Sequence, residues 1–171
     1  FMNFYTLLAR NTVEEYVRKG EVLSFPSDLP EEFLNKRAGV FVFIIKDGKY
    51  RAVVGTAYPV KNNIAGEIVS NAISAVAESG ELIRESELPY LSYEVYVLST
   101  PRVVKGLEEL NPKKIGLLVK GIFGKSALLL PKSEIEQTVD EQIKEVCRKA
   151  EINMTEDEFS LYCFEAERYT E

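Results

Sequence analysis

The sequence predicts an α+β fold, two lobes of mostly antiparallel sheet with packed helices. Three observations carry this expectation. Two β-rich patterns, "GVFVFIIKDGKYRAVVGT" and "IGLLVKGIFGKSALLLP", each read as a hairpin, and each is followed by a helical pattern and a further strand pattern. The order hairpin, helix, strand therefore runs twice, a pseudo-repeat of topology with negligible identity between its passes. No segment is of low complexity, and none approaches the roughly 20 apolar residues that span a bilayer. One domain is expected over residues 2–171, with lobe one over about 36–100 plus an amino-terminal helix and lobe two over about 112–170.

Taken in order, "NFYTLLARNTVEEYVRKG" sets Phe4, Leu7, Leu8, Val13, Tyr16 and Val17 close to one helical stripe that stops at Gly20. "SFPSDLPEE" is rich in Pro and Ser and reads as a connector. Asp47-Gly48 divides the first hairpin, a dipeptide suited to a two-residue turn. Along its second arm, strict alternation puts Arg51, Val53 and Gly55 on one face, with Tyr50, Ala52, Val54 and Thr56 on the other. "NIAGEIVSNAISAVAESG" spaces Ile64, Ile68, Ala72, Ile73 and Val76 for one helical face and ends on Gly80. "LSYEVYVLS" alternates two sets of which the second is only half polar, so a central strand is expected. After a connector holding about one helical turn, the second hairpin follows. Thr138 and Glu141 then form a capping box for "TVDEQIKEVCRKAEI", and "FSLYCFEAERY" is the last strand.

Composition closes off much chemistry. There is no histidine, which removes Ser-His-Asp and Cys-His machinery and any zinc site needing imidazole. Only Cys147 and Cys163 occur, too far apart for a Cys-x-x-Cys pair, and both fall in patterns that bury them. No metal and no cofactor is expected. A net charge of −6 argues against a general nucleic-acid binder. Charge is uneven: residues 101–132 hold seven Lys/Arg against two Asp/Glu, and residues 133–171 hold four against twelve. Two solvated faces of opposite sign is the plainer reading, and a docking surface for an anionic partner the other. The amino terminus lacks the pattern of a secretion signal, so a cytoplasmic, membrane-free protein is expected, with Met2 as the natural start.

Few residues invite a functional reading. "GKS" at 124–126 fails as a phosphate loop, because Val119 stands where glycine is needed and a strand pattern follows. Paired acids such as Glu14-Glu15 or Glu108-Glu109 read as helix first turns or solvated loops. Glu165, within "YCFEAERY", is set among apolar residues; if it faced inward it would need a partner such as Arg51, and on a solvated face it would not. The strand-to-helix loop "GTAYPVKNNIA" carries Thr56, Asn62 and Asn63 and can aim helix amides at an anion near Arg51, or merely cap the helix.

At these residues the chain resembles the AMMECR domain family, known in prokaryotes as AmmeMemoRadiSam system protein A. The likeness runs from "LARNTVEEYVRKG" and "LPEEFLNKRAGVFVFI" through "NIAGEIVSNAISA", "ELPYLSYEVYVLSTP", "LNPKKIGLLVK", "ALLLP" and "TVDEQ" to "FEAE". The family's hallmark Leu-Arg-Gly-Cys-Ile-Gly, often followed by Thr, reads here Tyr50-Arg51-Ala52-Val53-Val54-Gly55-Thr56. Arginine, the second glycine and threonine remain, while Val53 stands at the cysteine. The family's Asp-Pro-Arg-Phe after the second helix corresponds to "SGEL" at 79–82. The resemblance implies a two-lobed α+β fold with a cleft lined by the hallmark strand. It also implies the company of a Memo-like dioxygenase-family protein and a radical-SAM protein, with no settled reaction.

The functional expectation is therefore an accessory or binding domain of this type, without thiol chemistry at Val53. Ligand contacts would come from Arg51, Gly55 and Thr56, with Asn62, Asn63 and Glu165 as further candidates and a small anion as ligand. The alternative is an enzyme acting on a small anionic or modified metabolite through Arg51 and a cleft carboxylate.

Overall fold

The computed structural model describes residues 3–171; the expected start at Met2 lies outside the described residues. Helix α1 (Phe4–Lys19) begins where the Asn3 side chain accepts the Thr6 N–H at 2.9 Å, and ends at Gly20 in the left-handed conformation. Its buried stripe is Thr6, Leu8, Ala9, Thr12 and Val13, rotated from the expected one, and Phe4 is exposed. Thr12 can be buried because its hydroxyl donates to the Leu8 carbonyl at 2.7 Å. The last two residues of the expected connector open a short helix, α2 (Glu31–Asn35), anchored by the buried Phe33, whose ring packs on Tyr5 at 4.4 Å between centroids.

The first hairpin is β1 (Gly39–Lys46) and β2 (Lys49–Gly55), joined by Asp47 and Gly48 with φ of 52° and 72°. Two consecutive positive φ values match the right-handed twist of the arms. Helix α3 (Ile64–Ala77) stops before the expected Gly80, which instead takes φ 77° in the turn beyond. A 3-10 turn over Glu85–Tyr90 leads into β3 (Leu91–Leu98). Then come β4 (Arg102–Val103), a 3-10 turn at Leu107–Glu109, β5 (Ile115–Gly121), β6 (Ser126–Leu129), α4 (Val139–Lys149) and β7 (Phe159–Thr170). This is the predicted α+β fold, and hairpin, helix, strand recurs as β1-β2-α3-β3 and β5-β6-α4-β7.

The chain forms two compact units. The first runs to Val97 and takes in Glu167–Glu171; the second is Leu98–Ala166. In the first, strands follow the order β2-β1-β3 with the tail of β7 beside β3. Its core joins Val40, Val42 and Ile44 of β1 to Ile64, Ile68 and Ala72 of α3. The two ends of the chain are tied within this unit: Asn3 Nδ2 donates to the Thr170 carbonyl at 3.0 Å, and Arg10 meets the Glu171 carboxylate at 2.6 Å. In the second, β5 lies between β6 and β7 in antiparallel register, and β4 pairs with β7. Its core sets Val146 and Cys147 of α4 against Leu117, Val119 and Cys163. Among the described residues, no helix is long and apolar enough to cross a membrane.

Candidate functional site

The β2 strand does not alternate as expected. Ile44 pairs with Ala52 and Ile45 with Tyr50, so Arg51 is an extra residue, a β-bulge. The bulge moves Arg51 off the face that carries Val53 and Gly55. Its guanidinium instead joins Lys46, two residues along from the buried Ile44, at a shared carboxylate: Arg51 Nε lies 3.4 Å and Lys46 Nζ 3.0 Å from Glu87 Oε1. Tyr50 goes the other way, and its ring packs on Phe43 at 5.0 Å. Strict alternation is thus corrected at both residues by one inserted position.

Arg51 is fully engaged. Nη2 donates to the Glu81 carbonyl at 3.0 Å and the Leu82 carbonyl at 3.4 Å, and Nη1 to Ser79 at 3.5 Å. These acceptors belong to the "SGEL" turn after α3, so the guanidinium closes that turn onto the hairpin. Glu87 in turn accepts the Arg84 N–H at 2.9 Å. That backbone bond, then Lys46 and Arg51, hold its carboxyl at about 2, well below the ordinary 4.5. The side chains of Arg51 and Glu87 are 14% and 16% exposed, a nearly closed cluster.

Gly55 is required by a neighbour. It pairs with Phe41, and a Cβ there would lie 2.2 Å from the Phe41 ring. The space above this glycine is filled by the protein's own aromatic ring. Thr56 donates its hydroxyl to Glu67 Oε2 at 2.9 Å, and Asn63 caps α3 by accepting the Gly66 N–H at 2.8 Å. Asn62 is exposed in the same loop.

Glu67 was not singled out by the sequence reading and organises the loop. It is 1% exposed, and its Oε1 accepts the N–H groups of Val60 and Lys61 at 2.5 and 2.6 Å. With Thr56 these three donors satisfy a buried carboxylate. The residue sits in the first turn of α3, and four positions on Asn71 donates to the Val40 carbonyl at 3.0 Å. An acid and an amide four apart on the apolar side of the helix, next to Ile64, Ile68 and Ala72, were the available signal.

Glu165 belongs to the second unit and is exposed; its backbone N–H donates to Ser99 Oγ at 2.8 Å. The carboxylate that Arg51 meets is Glu87, within its own unit. Both thiols are buried in the core of the second unit, and burial raises the pKa of each. Among the described residues no group of three His, Cys, Asp or Glu side chains could hold a metal ion. "GKS" lies in the turn between β5 and β6 and not at a helix start.

What remains on the outer face of β2 and its neighbours is apolar and aromatic. Val53 is 41% exposed and pairs with Phe43, which packs on Tyr50 and, at 5.3 Å, on Tyr96. Phe41 covers Gly55 beside them. Such a surface can bury an apolar or aromatic partner, and further along β3 the face of Tyr96 carries Glu94, whose carboxylate pairs with Arg168 at 3.0 Å.

Comparison with known proteins places this architecture. A family model described as AMMECR1 matches residues 6–169. A protein of Thermotoga maritima is 39% identical over 96% of this chain and 96% of its own length. One from Clostridium acetobutylicum is 36% identical over 98% of this chain, which spans 36% of that protein. The crystal structure of an uncharacterized protein from Pyrococcus horikoshii superposes with a TM-score of 0.87 at 27% identity, over 98% of this chain and 90% of that one.

Proposed function

The chain belongs to the AMMECR1 family, and on that premise we propose that it is a cytoplasmic accessory domain that binds a partner and does no chemistry at its β2 strand. One observation carries the reading. The bulge turns Arg51 inward to Glu87, and the side chains packed next to Val53, those of Phe43, Tyr50 and Tyr96, are aromatic. If Val53 stands at the position of a hallmark cysteine, as the likeness in sequence implies, the site lacks its reactive atom. Neither of the two thiols substitutes for it, since both lie in the core of the second unit.

An enzyme working through Arg51 and a carboxylate is the competing reading. Arg51 does meet a carboxylate, yet all three of its guanidinium nitrogens already donate to Glu87 or to backbone carbonyls. That arrangement supports a clasp more than a catalytic pair, which needs an open place for substrate.

The partners this reading expects are the Memo-like and radical-SAM proteins. Titrating each, purified from the same genome, into the chain tests it by calorimetry. Saturable binding to at least one, weakened about tenfold or more by Val53→Glu, is expected. Equal binding by both versions of the chain, or none by either, overturns it.

A further inference from the structure

Away from the β2 face, the segment 21–25 runs beside α3 and leaves a groove of about 630 Å³. That volume falls within the roughly 300–1,000 Å³ typical of small-molecule clefts. Val22, Leu23 and Phe25 form one wall, and Val69 and Ile73 of α3 the other. Val22 is 65% and Phe25 42% exposed, so apolar surface of the 21–25 wall stands open to water at the cleft mouth. The α3 contribution, from Gly66 to Ser74, extends about 12 Å at ~1.5 Å per residue.

The polar side chains of the groove are Ser24, Ser70, Ser74 and Lys61. Lys61 is the single charged side chain among the ten that line it, and no acid accompanies it. The Lys61 stem lies over Gly66, within 3.2 Å of where a Cβ would stand, which seats the side chain at the amino-terminal end of α3. Its backbone is immobilised at both ends of the peptide unit: the N–H goes to buried Glu67, and the carbonyl accepts from Arg37 Nε at 3.0 Å. The Lys61 ammonium and the hydroxyls of Ser70 and Ser74 make no hydrogen bond with any described residue. An apolar trough with one unpaired cation at its end, on a backbone already fixed, is complementary to one chemistry.

We propose that this groove binds a small amphiphilic anion, with an apolar chain lying along Val69 and Ile73 and a single carboxylate or similar headgroup at Lys61. The residues involved differ from those of the β2 face, so either proposal can fail alone.

Decanoate is the probe, well below its aggregation range, with decanol and decyltrimethylammonium as neutral and charge-reversed counterparts. Calorimetry is expected to give saturable one-to-one binding of decanoate, about tenfold or more tighter than either counterpart. Lys61→Met should bring decanoate down to the level of decanol, and methyl resonances of Val69 and Ile73 should shift on binding. No saturable binding, equal affinity for anion and cation, unchanged affinity in Lys61→Met, or shifts confined to other methyls would each overturn the proposal.

Discussion

The two hairpins each turn on a pair of residues with positive φ and are otherwise opposites. In the first, Asp47 and Gly48 have φ of 52° and 72°; in the second, Phe123 and Gly124 have 56° and 75°. The first loop has two residues between Lys46 and Lys49; in the second, Gly121 N–H donates to the Lys125 carbonyl at 2.8 Å and three residues, 122–124, lie between, and each hairpin leads to a helix that packs on its sheet. Each unit also sets a glycine under a ring, Gly55 beneath Phe41 and Gly116 beneath Phe164. The difference lies in what supports them. The first hairpin carries a bulge, and Arg51, Thr56 and buried Glu67 bind it to loops outside the ladder. The second keeps a regular register over Leu117–Lys120 and ends in a Phe123 that is 95% exposed. Aspartate tolerates the left-handed conformation, whereas phenylalanine pays about 1 kcal/mol there, and nothing in the structure explains its choice. An irregular strand, then, is one that the rest of the molecule has a use for.

Four substitutions and one titration would break or sharpen that contrast. Glu67→Ala leaves three donors without their buried acceptor and should cost about 4 kcal/mol in chemical denaturation, with the 56–61 loop losing hydrogen-exchange protection first. Gly55→Val must displace the Phe41 ring and should cost about 3 kcal/mol. Arg51→Ala releases the "SGEL" turn and should cost about 2 kcal/mol, with little change in the exposure of Val53 to solvent probes. Acid acts on the same cluster. Because the folded chain holds Glu87 near 2 instead of 4.5, its contribution is complete above pH 4.5 and is lost as pH falls from there towards 2. After allowance for solvent screening, that loss should be about 1–2 kcal/mol, and it should be only partly reduced in Arg51→Ala, where the Arg84 N–H and Lys46 still hold the carboxylate. Phe123→Gly, in the unsupported turn, should raise stability by about 0.5 kcal/mol.

Local chemistry made most of the fold legible. Asp47-Gly48 announces its turn, and Asn63 and Thr138 announce helix starts, because each acts on backbone groups within three residues. The site was less readable for the complementary reason. A bulge adds one residue without any mark in composition, and the partner that holds Arg51 in place, Glu87, is 36 positions away. Alternation was therefore applied through Arg51, and the arginine was assigned to the wrong face. Glu67 escaped notice because an acid in a helix first turn ordinarily faces water; only the loop folded over it reveals three donors. Glu165 shows the converse, since its adjacent neighbours Phe164 and Ala166 lie on the opposite face of the strand from its own exposed side chain.

The knot between Asn3 and Thr170 has a consequence for engineering and for evolution alike. Because Asn3 and Thr170 adjoin, the folded segment between them can be spliced into a longer polypeptide through a single doorway, or cut open elsewhere and rejoined there by a short link. A permuted chain with old ends fused and new ones placed in the exposed Phe123-Gly124 bend should keep the far-ultraviolet spectrum of its parent.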